Sequence, residues 1–160
     1  MTENSQSLTV AQVMRTDVPT AAPGDAVGTV AAAMVSSGSA GIVVVDSGEL
    51  RGIITEADLI AREAEITMPT ATNYFDATID VDAGTPFSED IRRVTAATAA
   101  DLMTHPVYTI RSSATMQQVA TLMVDHQINS VPVIDDNNAL VGIVNRAELV
   151  KVIARMENAG

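Results

Sequence analysis

At 160 residues the chain suits one compact domain or two very small ones, and with aromatic residues at 2% its core must come from Ala, Val, Ile, Leu and eight Met. The absence of cysteine excludes disulfides, thiolate chemistry and Cys-bound zinc or iron–sulfur clusters. A net charge of −11 argues against nucleic acid or an anionic membrane as partner, because both need basic patches.

No apolar run approaches the roughly 20 residues of a membrane span, and the polar start from Met1 to Gln6 lacks signal-peptide character. The expectation is a soluble, cytoplasmic protein. Lys151 is the single lysine against eight arginines, a balance found in salt-in halophiles and also in high-GC genomes.

In chain order, Val18–Ala21 is predicted as a short entrance strand. Asp25 is the expected N-cap of a helix carrying Val27, Val30, Ala31, Met34 and Val35 at helical spacing, closed by Gly38. Ile42–Val45 and Leu50–Ile54 read as strands joined by a turn over Asp46–Glu49. Both runs are almost wholly apolar and β-branched, as in strands buried on two faces. Glu56–Glu65 is predicted as a second helix.

Residues 67–97 then break the pattern. Thr67–Asn73 reads as loop, Tyr74–Val81 as extended and Phe87–Val94 as a short helix capped by Ser88 or by the preceding turn. Every aromatic residue except Tyr108 lies here, so the segment is expected to pack on the rest of the molecule.

From Thr98 onward the chain repeats its beginning. Thr9-Val-Ala-Gln-Val-Met14 becomes Thr98-Ala-Ala-Asp-Leu-Met103, an offset of 89 that holds through Val18/Val107, Thr20/Thr109, Val30/Val119, Met34/Met123 and Asp46/Asp135. One residue inserted in the Asp135–Asn138 turn makes the offset 90 for Leu50/Leu140, Gly52/Gly142, Ile53/Ile143 and Leu59/Leu149. The second copy therefore runs through an entrance strand at Val107–Ile110 and a helix from Met116 to His126-Gln127. Strands at Val131–Ile134 and Leu140–Val144 follow, then a helix over Arg146–Met156. Two copies of one unit, each marginal alone because so small a domain buries too little of its surface, are expected to share a core.

The predicted class is α/β (α+β): two pseudo-symmetric β-α-β-β-α units packed sheet to sheet. Each would be a three-stranded sheet with its helices on one side and its other face turned to its twin.

These residues resemble the CBS domain, and two in tandem resemble the CBS pair, or Bateman module. The likeness rests on the repeated unit itself and on Val131-Pro-Val-Ile-Asp135 followed by Leu140-Val-Gly-Ile-Val144. It rests also on Gly52-Ile-Ile-Thr55-Glu-Ala-Asp58, which is similar to the family's nucleotide signature. It covers about residues 8–157: a first CBS unit over 8–66, an insertion over 67–97 and a second unit over 98–157.

The resemblance implies a non-enzymatic regulatory module that binds an adenosine-containing ligand (AMP, ADP, ATP or S-adenosylmethionine) between the copies. It implies homodimers, and a regulated protein partner that the sequence does not name. In the first copy Thr55 would hold phosphate at a helix N-terminus and Asp58 the ribose hydroxyls. The base would lie against Val18, Pro19, Thr20, Gly41 and Ile42. The matching second-copy set, a weaker site, is Val107, Thr109, Ser130, Val131, Pro132, Asn145 and Glu148.

Thr-x-x-Asp is equally a helix cap, and Asn145-Arg-Ala-Glu148 caps as well while matching the signature less closely. Ala40-Gly41 and Asn129-Ser130 are neutral where phosphate-gripping family members place His or Arg. AMP or S-adenosylmethionine is therefore expected ahead of ATP. The alternative is a ligand-free homodimeric scaffold. No nucleophile–base pair or catalytic constellation is visible, and Asp135–Asn138 lacks the distal bidentate Glu of a calcium loop, so it reads as a hairpin turn.

Overall fold

The switches from helical to strand spacing fall close to where the backbone changes element. A computed structural model describes residues 8–64 and 96–159. The first copy contains α1 (Val10–Val13), β1 (Thr20–Ala21), α2 (Val27–Ser37), β2 (Gly41–Asp46), β3 (Glu49–Thr55) and α3 (Glu56–Glu63). The second contains α4 (Ala99–Leu102), β4 (Ile110–Arg111), α5 (Met116–His126), β5 (Ser130–Ile134), β6 (Leu140–Asn145) and α6 (Arg146–Asn158). The loop, strand and helix expected within the insertion, at Thr67–Asn73, Tyr74–Val81 and Phe87–Val94, lie outside the described residues.

Local chemistry accounts for the boundaries. Gly38 and Gln127, copy-related residues, end α2 and α5 in the left-handed region at φ 67° and 54°. Ser47 and Gly48 take φ 52° and 80° in the β2–β3 turn, the signature of a tight hairpin. In the longer second turn Asp135 Oδ1 accepts from the Asn137 and Ala139 amides at 2.8 and 2.9 Å, so this carboxylate closes a hairpin.

Three expectations need correction. The entrance strands are shorter than predicted, because only Thr20 and Ala21 find partners in β2, and only Ile110 and Arg111 in β5. The N-cap of α2 is Ala26; Asp25 instead accepts from the Ala22 amide at 2.9 Å and closes the preceding turn. The short helices α1 and α4 are additional elements.

Each sheet has the order entrance strand, first hairpin strand, second hairpin strand, with a parallel first pair and an antiparallel second pair. Strand alternation then sorts the side chains. Ile42, Val44 and Ile54 point to the helices of the first copy, and Val131, Val133 and Val144 to those of the second. Val43, Ile53 and Ile143 point the other way and form a third, inner layer with Val18, Val45, Leu50, Val107 and Leu140. The sheets thus meet face to face, as the doubly apolar strands imply.

The copies also exchange their entrances. Val10 and Val13 of α1 pack in the core of the second copy, whereas Ala99 and Leu102 of α4 pack in the core of the first. Arg15 exchanges both backbone hydrogen bonds with Ile143 of β6, at 2.8 and 2.9 Å. Its counterpart Thr104 does the same with Ile53 of β3, at 3.1 and 2.9 Å. The Arg15 guanidinium bonds Asp17 at 3.0 Å, which holds that carboxyl below its ordinary range, and also reaches the Ser37 carbonyl.

Candidate functional site

Where β3 turns into α3, and where β6 turns into α6, a buried strand delivers a polar side chain to a helix N-terminus. Because the sheets face each other, both N-termini reach one place. A cavity of about 420 Å³ lies between them, lined by Thr55-Glu56-Ala57 and Ile60 from the first copy and by Asn145-Arg146-Ala147-Glu148 from the second. Gly38, Ala40, Asn129 and Ser130 complete its wall. The positive dipole ends of two helices make such a place suited to an anion or a polar ligand, and the first helical amides, of Glu56 and Arg146, are themselves held by the Ala40 and Asn129 carbonyls at 3.2 and 2.9 Å.

The two N-termini are capped alike and equipped differently. Thr55 donates to Asp58 Oδ2 from its amide at 2.9 Å and from its hydroxyl at 3.2 Å, and the amide of Asn145 donates to Glu148 Oε2 at 3.0 Å. The capping reading therefore holds for both copies. Asp58 is buried, and its Oδ1 accepts no hydrogen bond among the described residues.

Asn145 does more than cap. Its Oδ1 accepts from the Ser130 hydroxyl at 2.7 Å, and its Nδ2 donates to Ser39 Oγ at 3.0 Å. Ser39 in turn donates to the Gly41 carbonyl at 2.8 Å. All three polar side chains are buried, so this chain of hydrogen bonds is a strut running from one copy to the other. Beside it Gly41 meets its own counterpart Ser130, with no room for a side chain: a Cβ on Gly41 would lie 2.8 Å from Ser130 Oγ.

Among the residues singled out from sequence, the cavity unites Thr55, Ser130, Asn145 and Glu148. Asp58 stands behind Thr55. Val18 and Val107 are half-buried in the inner layer, and Val107 also borders a separate cleft with Arg51 and His105. The Pro19 carbonyl accepts from the Val43 amide at 3.1 Å, while Thr20 is exposed in β1 and Thr109 is half-buried just before β4. Gly41, Ile42, Val131 and Pro132 are buried strand residues; of these, Ile42 and Val131 belong to the helix-side cores.

Sequence reading missed Ser39, whose counterpart Ile128 is apolar. It also could not aim Arg146, whose counterpart Glu56 is acidic. A comparison of the two copies position by position carries both signals.

Among the described residues no group of three His, Asp or Glu side chains could hold a metal ion, and no helix is long and apolar enough to cross a membrane.

Comparison with known proteins agrees with this geometry. The family model for the CBS domain matches residues 10–65 and 99–155. Protein MK0525 of Methanopyrus kandleri is 30% identical over 92% of this chain and 63% of its own length, so the chain spans less than two thirds of that relative. The crystal structure of CBSX2, a protein of Arabidopsis thaliana, in complex with AMP superposes with a TM-score of 0.73 at 22% identity, covering 94% of this chain and 99% of that one. The CBS domain pair of protein MJ0100, in complex with 5-methylthioadenosine and S-adenosyl-L-methionine, gives 0.69 at 22% over 91% and 98% of the two chains. At these identities the likeness shows a shared fold. With two family segments meeting sheet to sheet in one molecule, the chain belongs to the CBS domain family as a tandem pair.

Proposed function

We propose that the chain is a non-catalytic regulatory module. It binds an adenosine-containing ligand between its two CBS copies, AMP or S-adenosylmethionine in preference to ATP, and passes that state to a protein partner in the cytoplasm. The observation that carries this reading is the shared cavity, whose 420 Å³ falls within the range of small-molecule sites.

In this reading the polar end of the ligand meets Thr55 and the α3 N-terminus, and the open Oδ1 of Asp58 accepts from the ribose. The base runs toward Val18, Pro19, Thr20, Gly41 and Ile42. The complexes of CBSX2 with AMP and of MJ0100 with S-adenosylmethionine support the ligand class. Glu56 and Glu148 against Arg146 leave little positive charge for a triphosphate. Ligand binding would shift the molecule only by its differential affinity for two arrangements of the copies or protomers.

A second reading, a ligand-free homodimeric scaffold, draws on the exposed apolar residues at copy-related helix positions. Val35 and Val124 are 84% and 76% exposed, and Ile60 and Val150 are 70% and 57% exposed. The first reading includes a homodimer as well, so ligand binding separates the two.

Calorimetric titration of AMP, ATP and S-adenosylmethionine into wild type and Asp58→Ala is the test. The expected result is binding that ranks ATP last and is lost in the variant. A melting curve on the variant accounts for the roughly 1 kcal/mol carried by its capping box. No heat with any ligand would leave the scaffold as the better reading.

A further inference from the structure

The two faces of the cavity are related by the repeat, yet they differ in charge at one position. The first helical residue is Glu56 in α3 and Arg146 in α6, and both line the cavity. Among the other described arginines, Arg15, Arg51, Arg62 and Arg111 are held by Asp17, Glu49, Glu63 and Asp136, and Arg155 lies farther along α6, outside the cavity lining. The Arg146 side chain has no ion pair or hydrogen bond among the described residues; it lines the cavity between the copies and also borders an apolar groove between α5 and α6. The strut beneath it fixes Asn145, the residue immediately before it, so the start of α6 is held in place and its cation is presented from a rigid base.

Resting on the ligand reading above, we propose that Arg146 is the specificity-determining cation of this cavity. It reaches from the second copy to the anionic group of a single ligand anchored on Thr55 and Asp58 of the first. The site is then polar end to end. A phosphate held at Thr55 and turned across the cavity toward Arg146 gains a charge-assisted hydrogen bond, whereas one turned toward Glu56 would meet a like charge. One unpaired cation matches one phosphate, so the ligand class is a nucleoside monophosphate. The Asn145 amide, already bonded to Ser39 and Ser130, holds the copies together and leaves anchoring to the first copy.

The test is titration of AMP and of adenosine into wild type, Arg146→Gln and Glu56→Gln. Arg146 is exposed at a helix surface, so its replacement leaves the core untouched. In Arg146→Gln, AMP should weaken by about tenfold or more while adenosine changes by less than about twofold. Glu56→Gln should leave AMP unchanged or tighten it. Equal losses for AMP and adenosine, an unaltered AMP affinity in Arg146→Gln, or a matching loss in Glu56→Gln would each overturn the assignment while leaving the ligand reading intact. Wild-type protein that binds neither probe would overturn both.

Discussion

Gly52 and Gly142 show how a single residue can serve the relation between copies. A Cβ on Gly142 would lie 2.9 Å from the Arg15 carbonyl and against the Met14 side chain. On Gly52 its three nearest atoms would all belong to the Met103 side chain, a flexible thioether able to move, at 2.5 to 2.9 Å. Backbone cannot yield as methionine can. Gly142→Ala should therefore destabilise by about 1–3 kcal/mol and by more than Gly52→Ala, as read from chemical denaturation of both variants. A larger loss at Gly52 would contradict this account. The equivalence of Met14 with Met103, and of Gly52 with Gly142, is legible in the repeat. That each methionine covers the glycine of the other copy is not, because an offset relates equals and says nothing of partners.

Among the elements, α1 and α4 are the ones whose place the sequence hides. Both are four residues long, shorter than the window in which helical periodicity can be recognised. Their start signals are present: Thr9 with Gln12, and Thr98 with Asp101, each form a capping box. Their destinations follow from tertiary packing alone, since Val10 is fully buried in the second-copy core and Leu102 is 2% exposed in the first. Val10→Ala should cost about 2 kcal/mol and speed native-state hydrogen exchange in α5 and α6. Leu102→Ala should do so in α2 and β2. Loosening of α2 and α3 by Val10→Ala, with α5 unchanged, would contradict the exchange of entrances.

For the whole molecule the balance of charge matters most. The net −11 is carried with few internal counterweights. Three of the four described ion pairs join residues no more than two positions apart, and all four involve exposed acids, so each contributes little. Repulsion among the remaining acids acts over distances that salt screens: the Debye length falls from about 10 Å at 0.1 M to about 3 Å at 1 M. The melting temperature should therefore rise by several degrees between dilute buffer and ~1 M KCl. A flat or falling curve would show that the acids are already balanced within the fold.

The sequence by itself determined the unit, its duplication, the order of its elements and the direction of its layers. Those follow from local spacing: period 3.6 against period 2, glycine and turn residues at the breaks, and β-branched runs that must be covered on both faces. It also marked Thr55 and Asn145 as the ends of buried strands, with Asp58 and Glu148 in the first turns of the helices that follow. Only the tertiary structure decided that α1 and α4 cross to the opposite copy, that Ser39 rather than a neighbour of Asn145 completes the buried strut, and that Arg146 stands across the cavity from Glu56. Each of these joins residues far apart in the chain through packing and hydrogen bonds. Burial and polar satisfaction choose such partners among all the surfaces that the fold brings together, and local spacing carries no record of that choice.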